Sequence, residues 1–310
     1  MTLSHFHVSV ADMKMHERVA QIPDRRLRIP DGVGSVAGVE LEYWVKGAGE
    51  PVVFLHGGIL TDWFGPLADE LAKTGSYQLV SYHRPGYGRS TLPSEPITMA
   101  GQAECCLALM RHLGLAKAHL VGHSIGACIA LQTALQEPEA VASVGLLEPP
   151  VMTATPDPSP ALVVLRATAA LWKQGDVAGA METFMRGIVD PDYERVLDAT
   201  LGNWREDALK GTAAFLLTDQ PAVQAWRFEE PEAARVRQPA ILFLGENSTQ
   251  VNPIREPVHR TLLSWLPNAE GQRVEGASHL LPLQEPAQIS AALTAFYKAR
   301  ARDSSGTTAR

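Results

Sequence analysis

Apolar positions between residues 27 and 150 fall into two kinds of run. Residues 39–45 alternate apolar and polar side chains, as a strand with one buried face does. Residues 51–55, 78–82, 118–121 and 141–147 are nearly continuous apolar stretches, which suits central strands covered on both faces. Between them, 98–113 and 125–136 are long and regular enough to be helices, and Pro138 stops the second. Strands alternating with helices predict an α/β core, a mostly parallel central sheet flanked by helices.

After Glu148 the punctuation changes. Pro149, Pro150, Pro156, Pro158 and Pro160 break the chain ahead of helix-like segments near 161–173, 176–188, 192–202 and 205–218. Residues 151–232 are therefore expected to form a helical cap inserted into a core made of 31–150 and 233–300. The strand pattern returns at 239–244, followed by a helix around 254–266, a short strand near 271–274 and a last helix near 286–300. Residues 1–30 are left as an N-terminal extension, and 301–310, rich in Ser, Thr, Gly and Arg, as a flexible tail.

Composition narrows the class. A chain of 310 residues with 45% apolar and 20% charged side chains is an ordinary globular protein with a sizeable core. Its formal net charge is −7, with no basic stripe interleaved with aromatics, which argues against nucleic acid as a partner. The three cysteines, Cys105, Cys106 and Cys128, cannot all pair, and two are adjacent in an expected helix; a reducing compartment fits best. The first thirty residues carry charges throughout, and no stretch approaches the ~20 apolar residues of a membrane span. The expectation is a soluble cytoplasmic protein with no membrane partner.

The chemistry concentrates at strand ends. Directly after the run 118–121 comes Gly122-His123-Ser124-Ile125-Gly126, followed by a helix, which is the context a Gly-x-Ser-x-Gly turn requires. A serine on so sharp a turn sits in strained backbone, and its neighbours two positions away must be glycines to avoid collision. The turn would expose Ser124 as a nucleophile at a helix N-terminus, where the Ile125 N–H can stabilise an oxyanion. The run 51–55 leads into His56-Gly57-Gly58-Ile59, whose small residues admit a close approach of backbone to a reacting carbonyl; the Gly58 N–H is the second oxyanion candidate. His56 at that strand end reads as a hydrogen-bonding partner of the surrounding loops rather than a catalytic base.

Through His56-Gly57-Gly58, then Tyr82-His83-Arg84-Pro85-Gly86-Tyr87-Gly88-Arg89-Ser90, Gly122-His123-Ser124-Ile125-Gly126 and Gly276-Ala277-Ser278-His279, the sequence resembles the α/β-hydrolase superfamily across residues 39–296. Members with the second of these loops have an aspartate where this chain has His83. The resemblance implies that His279, in a Gly-x-x-His setting after the last strand, is the general base, a role that imidazole, with its intrinsic pKa near ~6.5, suits. It also implies an acid. Many members carry an aspartate a few residues beyond the seventh strand, but here that loop reads Gly245-Glu246-Asn247-Ser248, with Ser248 at the acid's place. A serine cannot hold an imidazolium by charge, so the expected acid is Glu148, after the run 141–147, with Glu246 as the alternative. A glutamate there paired with a serine nucleophile resembles the zearalenone-type lactonases.

A serine nucleophile disfavours the relatives that form an alkyl-enzyme ester on aspartate. The expected reaction is cleavage of a carboxylic ester or lactone of a hydrophobic small molecule through an acyl-enzyme on Ser124. Ile59, Trp63, His123 and Leu280, flanking the motifs, are expected to touch substrate. In the cap, Trp172, Phe184, Met185, Trp204, Phe215 and Trp226 recur at helical spacings, which means mostly packing with some contribution to the pocket. Carbon–carbon bond hydrolysis on the same residues, or a slow ligand-binding receptor, are the rival readings. No cofactor is implied. His5, His7, Asp12 and His16 could ligate zinc, but no fixed geometry follows from their spacing, and no metal is expected. The N-terminal extension could pack on a second subunit of a homo-oligomer or cover a sheet edge.

Overall fold

The computed structural model describes residues 25–29, 38–154 and 161–306. The four zinc candidates, most of the expected extension, Pro156, Pro158, Pro160 and residues 307–310 lie outside the described residues.

Eight strands form one sheet in the order β1-β2-β4-β3-β5-β6-β7-β8. β1 (Arg25–Arg28) and β2 (Glu40–Gly47) run antiparallel at one edge; β3 (Glu50–Leu55), β4 (Tyr77–Tyr82), β5 (Ala118–His123), β6 (Val141–Leu147), β7 (Ala240–Gly245) and β8 (Ala269–Val274) are parallel. β5 and β7 are buried along their whole length, which is why their sequences carry no alternation. Leu120 in β5 is fully buried, and Leu120→Ala would cost about 2–5 kcal/mol. One face of the sheet is covered by helices Met99–His112, Ile125–Gln136 and Arg255–Trp265, the other by Gly65–Ala72 and Pro286–Gly306. The buried residues of Arg255–Trp265 are Arg255, Val258 and Leu262, one stripe of a helix of period 3.6.

Between β6 and β7 the described chain is helical, and these helices, Ala161–Lys173, Val177–Phe184, Tyr193–Thr200, Trp204–Ala214 and Gln220–Ala225, are termed the cap. Two of these helices run on into π-helical turns, Met185–Val189 and Phe215–Asp219.

Three differences from the sequence expectation have physical reasons. Arg25–Arg28 belongs to the sheet rather than to an extension; its three arginines hide a half-buried strand in which Leu27 faces Leu41. Gly65–Ala72 is a helix although only Leu67 and Leu71 of its eight residues are buried, too short a stripe to read from pattern alone. The last helix continues to Gly306, beyond the expected start of a tail, because nothing in 301–306 breaks it.

The strand order reverses between β4-β3 and β5-β6, so the connections leaving β3 and β5 turn to opposite sides and open a crevice at the carboxyl ends of those strands. The loops after β3, β5, β6, β7 and β8 all end there.

Candidate functional site

Ser124 stands between β5 and the helix Ile125–Gln136 with φ 53° and ψ −124°. An added Cβ on Gly122 would lie 2.4 Å from the Gly126 carbonyl oxygen, and one on Gly126 would lie 1.9 Å from that of Leu55, so the turn closes only with glycine at both places. Among the described residues, the non-glycine positions with positive φ are Ile59, Ser124 and Glu148. All three border the crevice, one at the end of each neighbouring strand, and strained backbone held by its surroundings marks a functional site.

On one side of Ser124 the structure brings Glu148 to His279. Glu148 Oε2 accepts a hydrogen bond from His279 Nδ1 at 2.6 Å, and Oε1 accepts from the Gly245 N–H at 2.8 Å and from the Ser248 hydroxyl. Glu246 instead accepts the Gly276 N–H at 2.9 Å on the exposed side of the loop. Arg255 Nε lies 3.2 Å from Glu148 Oε2, Nη1 donates to the Ser248 carbonyl at 3.2 Å, and Nη2 donates to the Ile188 carbonyl in the cap. Burial alone would raise the Glu148 pKa; the Arg255 charge, then the hydrogen bonds from His279 and Ser248, hold it far below the usual carboxylate range. Burial and Arg255 push His279 down to about 4 against the pull of Glu148. At neutral pH the pair is a carboxylate and a neutral imidazole with its proton on Nδ1, leaving Nε2 free to accept.

On the other side lies the loop after β3. Gly58 and Ile125 both line the same cavity as Ser124 and His279. Ile125 is the first residue of its helix, so its N–H has no intrahelical acceptor. An added Cβ on Gly58 would come within 2.8 Å of the Phe215 ring from the cap. His56 accepts the Arg84 backbone N–H on Nε2 at 3.0 Å, which places its proton on Nδ1, donated to the Gly57 carbonyl at 2.7 Å; it serves the loop and does not line the cavity of Ser124.

The cavity holds about 120 Å³. Its apolar wall comes from both layers, with Val151, Leu165, Phe184, Ile188, Phe215 and Val258 as examples; Gln220, Gln224 and Asn252 add neutral polar groups. The residues expected to touch substrate are placed otherwise. Ile59, Trp63, His123 and Leu280 are buried behind the wall and do not line it. Trp63 donates its indole N–H to the Gly58 carbonyl at 3.1 Å, and His123 packs between Trp63 and His279 and donates Nε2–H to the His279 carbonyl at 2.9 Å. Trp63 and His123 thus hold the motif backbone from behind. Of the cap aromatics, Phe184 and Phe215 reach the cavity, whereas Trp204 packs on Tyr193 and Trp226 stacks on Phe228.

His83 has a buried counter-charge. Its Nδ1 donates to Glu42 at 2.9 Å, and Glu42 also takes Arg89 Nε at 2.7 Å. Burial opposes protonation, but Asp62 and Glu42 raise the His83 pKa to about 9, so a cation stands here.

Sequence reasoning missed Arg255 and Asp219. Arg255 had a signal: a basic residue on the apolar stripe it shares with Val258 and Leu262 demands a buried counter-charge. Asp219 had none, because its partner, Arg84, lies 135 positions away. The described residues contain no group of three or more His, Cys, Asp or Glu placed to hold a metal ion. No described helix is long and apolar enough to cross a membrane, and the three cysteines are buried free thiols.

Residues 50–286 match the family profile of the alpha/beta hydrolase fold. A stretch of 120 residues is 38% identical to the dihydrolipoyllysine-residue acetyltransferase component of the acetoin cleaving system of Cupriavidus necator, covering 37% of this chain and 30% of that protein. The chain thus spans about a third of that relative's length. Over 266 residues it is 24% identical to the uncharacterized carboxylesterase nap of Bacillus subtilis, covering 80% of this chain and 79% of the other. Among solved structures, the enol-lactonase of Burkholderia xenovorans LB400 superposes with a TM-score of 0.70 at 20% identity, covering 84% of this chain and 97% of that one, a likeness of fold.

Proposed function

The chain belongs to the α/β-hydrolase family, and on that premise we propose that it hydrolyses a carboxylic ester or lactone of a hydrophobic small molecule, with Ser124 as nucleophile, His279 as general base and Glu148 as the acid that orients it. The observation that carries this reading is the 2.6 Å hydrogen bond from His279 to a buried Glu148, beside a cavity that Ser124 also lines.

In this reading His279 Nε2 takes the Ser124 proton as the oxygen attacks the carbonyl, and the Gly58 and Ile125 N–H groups receive the charge on the carbonyl oxygen. The imidazolium then gives its proton to the leaving alkoxide. In the second half His279 draws a proton from the water that attacks the acyl group, and the imidazolium returns it to the Ser124 oxygen as the acyl bond breaks and the acid leaves. Glu148 stays ionised throughout and stabilises the imidazolium that forms in both halves. For a lactone, alcohol and acid remain one hydroxy acid.

The cavity wall favours a neutral, largely apolar substrate. Its arginine, Arg255, is already paired with Glu148, so it offers no spare cation to a substrate carboxylate such as a carbon–carbon hydrolase would need. The curated carboxylesterase relative and the enol-lactonase of similar fold agree with an ester or lactone substrate. Acid release in a pH-stat across a panel of esters and lactones, with Ser124→Ala alongside, tests the proposal. Serine-dependent acid release is expected; silence of the folded wild type across the panel overturns it.

A further inference from the structure

The Gly57–Gly58 peptide is held from behind by a buried charge cluster that reaches into the cap. Arg84 is fully buried and uses its whole guanidinium: Nε donates to the His56 carbonyl at 3.0 Å, Nη2 donates to the Gly57 carbonyl at 2.9 Å, and Nη1 and Nη2 each lie 2.7 Å from an oxygen of Asp219. Asp219, also fully buried, closes the π-helical turn Phe215–Asp219 of the cap. Its carboxylate also accepts the Tyr87 hydroxyl at 2.6 Å and Gln102 Nε2 at 3.2 Å, and Tyr87 in turn accepts the Ile59 N–H at 3.3 Å.

A trans peptide points its C=O and N–H in opposite directions within one plane. The Gly57 carbonyl and the Gly58 N–H belong to the same peptide, so donors that hold the carbonyl aim the N–H the other way, and Gly58 lines the cavity with Ser124. Hydrogen bonds to that carbonyl also polarise the N–H and make it a stronger donor. The Phe215 ring, at the start of the turn that Asp219 ends, covers Gly58 from the cap side.

We propose that Asp219 and Arg84 are positioning residues for the oxyanion donor, through which the cap fixes the direction and strength of the Gly58 N–H. The inference rests on the ester-hydrolase reading for its kinetic consequence alone. Neither residue touches substrate. Asp219 positions Arg84, Arg84 positions the peptide, and the peptide meets the reacting oxygen.

The sequence supplies a direct probe: Gly57-Gly58 is the chain's one pair of adjacent glycines. In protein labelled with glycine carrying ¹³C at the carbonyl and ¹⁵N, a carbonyl–amide correlation spectrum therefore contains one peak, that of this peptide. With Asp219→Asn, which keeps the side-chain shape, both shifts of that peak are expected to move upfield as the bond to the Gly57 carbonyl weakens. On an ester that the wild type turns over, kcat is expected to fall about 10- to 100-fold with KM changed less than about threefold. Affinity for a trifluoromethyl ketone that forms an oxyanion on Ser124 should fall in step with kcat/KM, and the pH profile should keep its shape. Should Asp219→Asn not fold, the double variant Arg84→Met with Asp219→Leu removes both charges together and leaves no unpaired ion. An unmoved peak, or a KM effect with kcat intact, in either folded variant overturns the inference. A wild type inert to every ester whose peak nonetheless moves on substitution would overturn the ester reading and support the positioning role.

Discussion

Two buried arginines flank Ser124, and their carboxylate partners are differently engaged. Arg84 meets Asp219 through both terminal nitrogens, and Asp219 touches no group that could react. Arg255 meets Glu148 through Nε, on the same oxygen that His279 uses. A carboxylate whose partners are fixed donors can only hold a shape. One shared between a fixed cation and an ionisable imidazole also sets when that imidazole takes a proton. Each arginine ends on the cap near a π-helical turn, Arg84 on Asp219 and Arg255 on the Ile188 carbonyl. The cap is thereby tied to both halves of the proposed machinery, with a structural clamp on the oxyanion side and a titrating one on the acid side.

Removing the proposed nucleophile tests both sides at once. Ser124→Ala is expected to lower kcat by about 10⁶-fold while the melting temperature holds, since Ser124 is a strained position whose loss relieves the backbone of nothing it needs. Thermal unfolding and turnover measured on one preparation check this. Next in size, Glu148→Gln should cost about 10³- to 10⁴-fold in kcat, because the amide holds the ring without a charge to stabilise the imidazolium. Glu246→Gln should leave kcat within about twofold, its carboxylate being spent on the Gly276 N–H. Equal effects of the two substitutions would erase the difference between the acid side and the rest of its loop.

Arg255→Met sharpens the comparison by pH. With burial and Arg255 holding His279 down to about 4, the neutral base persists into acid, so kcat/KM of the wild type should stay level from pH 7 downward and fall as pH drops through about 4. Without Arg255, burial alone opposes the pull of Glu148, and the His279 pKa rises. The acid limb then moves up by one to two pH units, and kcat/KM at pH 5 falls about two- to tenfold with less change at pH 8. The double variant at Arg84 and Asp219 should leave that limb in place, and a limb that moved with it would show that the two arginines do not differ in the way described.

How far all this was legible follows from the range of the interactions. Ser124, Gly58 and His279 sit in local motifs whose spacing is dictated by a single tight turn, and the continuous runs of β3, β5 and β6 announce burial on both faces. Glu148 was reachable through the resemblance, which puts Ser248 at an acid's usual place and leaves Glu246 as the alternative; the structure adds that the Ser248 hydroxyl donates to Glu148. The cavity wall was not legible. Ile59, Trp63, His123 and Leu280 are neighbours in sequence of the proposed reacting groups, yet they are buried behind the wall, while the wall draws on Leu165, Phe184, Ile188 and Phe215 from helices whose docking depends on contacts far apart in the chain. Asp219 is the extreme case, a turn residue whose meaning lies entirely in Arg84.

The smallest expected effect concerns stability rather than rate, and lies behind the oxyanion loop, where His83 packs edge-on against His56. His83 has a folded pKa of about 9 against an ordinary value near ~6.5, so its contribution to stability is fully present below about pH 6.5 and is lost as pH rises through about 9. Glu42, held at about 2 by His83 and Arg89 against its burial, contributes above its ordinary range near ~4.5 and is lost only as pH falls through about 2. The buried histidines with lowered pKa gain stability as pH rises past about 6.5 and the buried cysteines lose it above about pH 8, so the part that belongs to His83 is the difference between wild type and His83→Gln, with an upper bound of about 3 kcal/mol from a shift of that size. Urea unfolding at pH 6.5, 8 and 9.5 should show the stability advantage of the wild type over His83→Gln shrinking across that window. Since neither His279 nor Glu148 titrates there, a matching fall in kcat/KM of the folded protein would mean that the charge at His83 reaches the Gly58 N–H, and the clamp on the oxyanion side would then titrate as well.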